Sequence, residues 1–313
     1  MKKLILKNSS YEYLQSGFKE WLDILGYNPM SVYNLPNIIR EFLHFLESIN
    51  INHINHLEQQ HYKDYYNYIY NRGNQRRGGG LSNNYINKHL QAIEKFLQYL
   101  HHKGMRNVPH LGITLLKLNT KAITVLTQDE IQLLYKATYK DVETQRMEAL
   151  QSRDRVLLTV FYGCGLRRKE GAFLELNDIN LDRRVLHVRK GKNYKERFVP
   201  FSKPNAKIFE EYIYDFRPLL AKSKKESSLF IGYSGKPMFG GGLYTRLKLL
   251  QLQIDDIELQ NKTIGLHTLR HSIATHLLEA GMPLDKISRF LGHSSLESTQ
   301  RYTHLTQKED ADL

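Results

Sequence analysis

His267-Thr268-Leu269-Arg270-His271 opens a helix that runs through Ala274, Leu277 and Leu278 to Gly281. The apolar residues recur at helical steps, and the glycine is a natural stop. His267 and Arg270 lie one turn apart, so both can aim at one target while the apolar face holds the helix down. A metal reading would pair His267 with His271, but the glutamate of an HExxH pattern is missing and no third ligand is evident. Taken alone, the segment also fits an ordinary basic helix end.

Downstream, Leu291-Gly292-His293 ends one helix and the run from Ser295 to Tyr302 begins the next. Tyr302 is one of twenty tyrosines, and only its surroundings give it weight. Upstream, Arg153–Tyr162 reads as an apolar helix, Gly163-Cys164-Gly165 as a break, and Leu166–Leu174 as a helix carrying Arg167 and Glu170. Val185, His187 and Val188 are β-prone, Gly191–Tyr194 makes a turn, and Phe198-Val199-Pro200 returns, together a basic hairpin. Helix resumes from Phe209, with a break expected at Gly240-Gly241-Gly242. This part of the chain starts at Thr127-Gln128-Asp129-Glu130, a capping box ahead of Ile131, Leu133 and Leu134.

The first hundred residues read as four helices. Tyr11, Leu14, Phe18, Trp21, Leu22 and Leu25 share one face before the Gly26–Pro29 break. Ile38, Ile39, Phe42, Phe45, Leu46 and Ile49 form the buried side of a second helix, for which Asn34 is the better cap because Pro36 suits a first turn. A third covers Glu58–Tyr70. A fourth begins near Ser82 and buries Ile86, Leu90, Ile93, Leu97 and Leu100, with Lys88 and Lys95 on its other faces. Between the third and fourth, Arg72–Gly80 is either a solvated loop or a loose glycine-rich segment whose arginines meet phosphates. Arg76, Arg77, Lys88 and Lys95 are the candidate phosphate-binding residues. Pro109 and Gly112 interrupt any period, which gives a helical domain at 1–106, a linker at 107–123 and a second domain at 124–313.

The chain has 313 residues, 45 Lys plus Arg against 32 Asp plus Glu, and a formal charge of +13. Such a balance suits a polyanionic partner, with nucleic acid the first choice. No apolar run is long enough to span a bilayer and no signal-peptide pattern stands at Met1–Ser10, so a soluble, cytoplasmic protein is expected. The single cysteine, Cys164, excludes an intrachain disulfide and a thiolate zinc site, and between two glycines it reads as a small packed residue.

Gly165-Leu166-Arg167 with Glu170, Gly191-Lys192 before Lys195-Glu196-Arg197, His267-Thr268-Leu269-Arg270-His271, Leu291-Gly292-His293 and Tyr302-Thr303-His304 resemble the signatures of the tyrosine recombinase (phage integrase) family, in the family's order. The resemblance covers about residues 126–304 and, more loosely, the helical N-terminal domain. It implies a mainly α fold, with a helical core-binding domain and an α-rich catalytic domain bearing a small β-hairpin. Arg167, Arg270 and His293 would hold the non-bridging oxygens of the scissile phosphate. His267 would assist proton transfer, Lys192 would protonate the leaving oxygen, Tyr302 would be the nucleophile and Glu170 would orient the region. Lys192 is preferred to Lys190 because the turn then aligns without a gap. Asn193 and Gly171 depart from the family's pattern.

These residue types suit phosphodiester exchange. A guanidinium meets two phosphate oxygens with a rigid fork of donors. A phenol, with a reference pKa of about 10, must lose its proton as it attacks, and the departing alkoxide needs an acid. No Asp/Glu cluster accompanies the motifs and no P-loop is present, so neither metal nor nucleotide is expected. The resemblance implies a 3′-phosphotyrosine intermediate, a Holliday junction and a homotetramer on double-stranded DNA, serving element integration or excision, or dimer resolution. The rivals are type IB topoisomerase-like relaxation and a non-catalytic DNA-binding regulator.

Overall fold

The computed structural model describes residues 4–74, 78–118, 123–189, 196–223 and 225–292. The chain divides into two compact units, Met1–Lys121 and Ala122–Leu313. Described helix far outweighs strand, and no helix among the described residues is long and apolar enough to cross a membrane.

The first unit holds α1 (Ser9–Ile24), α2 (Pro29–Ser48), α3 (Gln59–Asn71) and α4 (Asn83–His102). Polar side chains start three of them: Asn8 accepts from the Ser10 N–H at 2.9 Å, Asn28 from Ser31 at 2.9 Å and Ser82 from Tyr85 at 3.3 Å. Tyr11, Phe18 and Leu22 of α1, Ile39, Phe42 and Leu46 of α2, Tyr62, Tyr65 and Ile69 of α3, and Ile86, Leu90, Ile93 and Leu97 of α4 build one core. The expected Asn34 cap is overturned, because Asn28 caps α2, Pro29 takes its first turn and Pro36 sits inside it. An internal proline costs about 3 kcal/mol. Buried Val32, Ile39 and Phe42 on the same helix each return roughly 1.5–3 kcal/mol, which outweighs it. Leu25 and Ile49, expected in the core, are exposed at the ends of their helices, where the chain turns away. Part of the stretch read as linker is fastened to this unit. Val108 and Leu111 are buried in its core, and the Asn87 amide exchanges two 2.8 Å hydrogen bonds with the Leu116 backbone.

In the second unit, α5 (Gln128–Lys136) starts at the expected capping box, Thr127 and Glu130 bonding each other's backbone N–H. Then come α6 (Gln145–Leu158), a π-helical turn at Thr159–Gly163, α7 (Arg168–Ala172), and strands β1 (Ile179–Asn180), β2 (Val185–Val188) and β3 (Arg197–Pro200). The strands form an antiparallel sheet in the order β1-β2-β3, with Val185 opposite Pro200 and Val188 opposite Arg197. The unit continues with α8 (Lys203–Glu211), a π-helical turn at Tyr212–Phe216, α9 (Arg217–Leu220), α10 (Gly240–Leu252), α11 (Ile257–Asn261), α12 (Leu266–Glu279) and α13 (Leu284–Leu291).

Four local expectations are corrected. α6 starts before Arg153, because its charged residues are paired inside: buried Asp154 holds Arg153 at 2.7 Å and Arg246 of α10 at 2.6 Å. The helix expected over Leu166–Leu174 shrinks to α7. α8 starts at Lys203, with Ser202 as its cap, rather than at Phe209. Gly240–Gly242 opens α10 instead of breaking the chain. First-turn N–H groups need no helical partner, and a Cβ at Gly240 would lie 2.8 Å from Cγ of Arg168, which packs there.

Candidate active site

The π-helical turn delivers the chain into Gly165 and Arg167. Gly165 has φ +60°, and a Cβ there would lie 2.9 Å from Leu291 Cδ2 and 3.2 Å from Phe290 Cε1, so only glycine lets this turn press against α13. Cys164 beside it is buried, and burial pushes its thiol up to about 12. It is a packing residue, as expected.

Three arginines from distant parts of the sequence converge on the end of α13. Arg197 of β3 donates to the Phe290 carbonyl at 3.2 Å, Arg270 of α12 to Leu291 at 2.8 Å, and Arg167 to Gly292 at 2.7 Å. These are carbonyls that a helix C-terminus leaves without intrahelical partners, at the negative end of its dipole. Gly292 closes α13 with φ +64°. Arg270, 3% exposed, also donates to the Gly165 carbonyl at 2.6 Å, which ties α12 to the turn before Arg167.

On the other side of the arginines lies Glu170, its side chain 2% exposed. Its Oε1 accepts from Arg167 at 2.8 Å and from Arg197 at 3.1 Å. Its Oε2 accepts from Arg197 at 2.9 Å and from the Arg167 backbone at 2.9 Å, closing the first turn of α7. Arg270 stands 4.0 Å from the same carboxylate. Burial alone would raise the pKa of Glu170. The hydrogen bonds and charge of Arg197, followed by those of Arg167, reverse this and hold it at about 2.

His267 sits in the first turn of α12, where the Gly265 N–H bonds the Thr268 hydroxyl at 3.0 Å. His267 is exposed overall, and the protein around it removes part of its hydration. That desolvation, and then the charges of Arg270, Arg168 and Arg167, lower its pKa against a smaller opposing effect of Glu170. The shift favours the neutral imidazole, the form able to accept a proton.

The structure thus brings Arg167, Glu170 and Arg270 into one cluster, with His267 coupled to it electrostatically. Lys192 and its alternative Lys190, His293, Tyr302, Arg76 and Arg77 lie outside the described residues. The stem flanking 190–195 is described: His187 bonds Glu196 at 2.6 Å across the strands, and Arg189 reaches Asp178 at 2.7 Å and Glu175 at 2.6 Å. On α4, Lys88 is exposed, whereas Lys95 bonds Gln98 at 2.7 Å and lies 5.5 Å from the Tyr27 ring centre. Arg72, at the start of the glycine-rich loop, turns inward to Glu41 at 3.0 Å. The base of that loop is bonded rather than loose, through a Gly73–Gly80 bridge and Asn74 N–H to Gly79 at 2.7 Å. No group of three or more His, Cys, Asp or Glu side chains among the described residues is placed to hold a metal. Sequence reading quoted Arg197 without giving it a role. Its one signal was its place in the hairpin motif that ends Lys195-Glu196-Arg197.

Residues 124–309 match the phage integrase family. Tyrosine recombinase XerD of Oceanobacillus iheyensis is 34% identical over 236 residues, 75% of each chain. Tyrosine recombinase XerC of Alcanivorax borkumensis is 34% identical over 228 residues, 72% of this chain and 70% of the relative. Among solved structures, the fold resembles XerH site-specific recombinase bound to palindromic difH substrate (TM-score 0.70, 19% identity, covering 100% of this chain and 90% of the other). It also resembles Tn1549 transposon integrase in complex with transposon right end DNA (TM-score 0.71, 19% identity, covering 92% and 94%). The chain belongs to the phage integrase family of tyrosine recombinases, enzymes that cleave DNA and transfer its strands.

Proposed function

We propose that this chain is a site-specific recombinase that cuts double-stranded DNA with Tyr302, holds the cut end as a 3′-phosphotyrosine, and rejoins it to a partner strand through a Holliday junction within a homotetramer. The supporting observation is the convergence of Arg167 and Arg270 between the Glu170 carboxylate and the end of α13, one residue before His293 in sequence. Fixed guanidinium groups stabilise charge on the equatorial phosphate oxygens without reorganising during the reaction. His293 would complete that clamp, neutral His267 would accept a proton, and Lys192 would donate one to the departing 5′ oxygen. Exchange of one phosphodiester for another retains the bond's energy, so rejoining needs only a DNA hydroxyl. Residues 1–106 would act as a DNA-binding domain beside the catalytic domain at 124–313, in the cytoplasm, for element integration or excision or for dimer resolution.

Footprinting would map the bound site, and a nicked duplex carrying that site would trap the covalent complex. The wild type should form a 3′-linked protein–DNA adduct, while Tyr302→Phe should bind nearly as well and form none. An adduct with the phenylalanine variant would place the nucleophile elsewhere. Relaxation of a two-site plasmid without strand exchange would favour a topoisomerase.

A further inference from the structure

We infer that Arg197 is a positioning residue of the recombination reaction: it neutralises Glu170 so that Arg167 and Arg270 keep their positive charge for the phosphate. The inference rests on the proposed reading of the site.

Glu170 is a full negative charge within a cluster meant to receive an anion. Were Arg167 at 2.8 Å and Arg270 at 4.0 Å its only cations among the described residues, it would cancel much of the field those arginines direct at a phosphate. Arg197 changes this balance. Its guanidinium takes both oxygens of Glu170, at 3.1 and 2.9 Å, in the two-pronged geometry that makes such pairs strong. Among the described residues, three guanidinium groups then face one carboxylate, an excess of two positive charges, and Glu170 still fixes the Arg167 backbone.

Arg197 is held in place for this role. It is 10% exposed, its Nε donates to the Phe290 carbonyl at 3.2 Å, and a Cβ on Gly292 would come within 2.7 Å of its guanidinium. It also stands on β3, where Val188 of β2 pairs with it, so one side chain joins the hairpin stem, the α7 turn and the end of α13.

The test is a cleavage measurement on the full chain at saturating DNA, with the wild-type Tyr302 adduct as control. Arg197→Gln should slow cleavage on the order of 10- to 100-fold, the range expected for losing a buried charge-assisted bond, with little change in DNA affinity. The double variant Glu170→Gln/Arg197→Gln should be at least about tenfold faster than Arg197→Gln, because the carboxylate left uncompensated is then gone too. A purely structural role predicts the opposite, further loss on removing a second member of the network. Arg197→Lys keeps the charge but not the two-pronged fork, so it should fall between Arg197→Gln and the wild type, and it carries the test if Arg197→Gln does not fold. A double variant no faster than Arg197→Gln, or a lysine variant as slow as glutamine, overturns the inference while leaving the Tyr302 reading intact. Absence of any wild-type adduct would instead remove the reading on which it rests.

Discussion

Lys192 falls in sequence between Arg189 and Glu196, whose side chains are tied to Asp178 and His187. A lysine suits this position better than a fourth arginine. An ammonium on a flexible chain gives up a proton far more readily than a guanidinium, whose work is to hold charge in fixed geometry. Lys192→Ala should slow cleavage by about 10²- to 10⁴-fold, the usual worth of general acid catalysis. A substrate whose 5′ bridging oxygen is replaced by sulfur should recover most of that rate, since a thiolate leaves without an acid. The same rescue for Lys190→Ala and none for Lys192→Ala would shift the hairpin register by two residues.

At the level of the element, a short helix gathers the site and a buried histidine makes the stability of the first unit depend on pH. α13 offers three successive carbonyls to three arginines, which explains how side chains from β3, α7 and α12 share one small volume. In α4, His89 is fully buried, bonds the Tyr65 hydroxyl at 2.9 Å, and has no partner for its Nε2 among the described residues. Desolvation, and then the charge of Arg72, lower its pKa from 6.5 to about 4. The folded state therefore binds fewer protons than the unfolded one between these values. The stability tied to neutral His89 is complete above pH 6.5 and is lost as pH falls towards 4, in all about 3 kcal/mol. Trp21, the single tryptophan, lies in the same unit and reports its unfolding. Its urea midpoint should drop between pH 7 and pH 5 in the wild type and drop less in His89→Asn, whose amide oxygen keeps a partner for Tyr65 without titrating. Equal drops would remove His89 as the cause.

For the whole molecule, a formal charge of +13 predicts strongly salt-dependent DNA binding, with individual phosphate contacts adding to the slope. Arg72 is occupied by Glu41, which leaves Arg76 and Arg77 as the loop arginines to test. If both meet phosphates, replacing the pair with alanine should weaken binding to specific and random duplexes by similar factors. It should also flatten log affinity against log salt by somewhat under 2, at about 0.9 per contact. Selective loss of specific binding would mean base reading, and an unchanged slope and affinity would mean a solvated loop.

The sequence by itself was sufficient for the family, the mainly helical class and most of the cores. Periodicity and capping are local, and the motif order survives without knowledge of the fold. It placed the capping box at Thr127 and the buried faces of α1 and α4 to within a residue or two. It misplaced the start of α2 because Pro36 is unfavourable only until burial of its neighbours outweighs it. It misread the glycines at Gly240–Gly242 because a first helical turn tolerates what an interior does not. The role of Arg197 could not be read at all. Which of 45 basic residues meets a given carboxylate depends on segments brought together across the chain, and only the packing of β3 against α7 and α13 decided it.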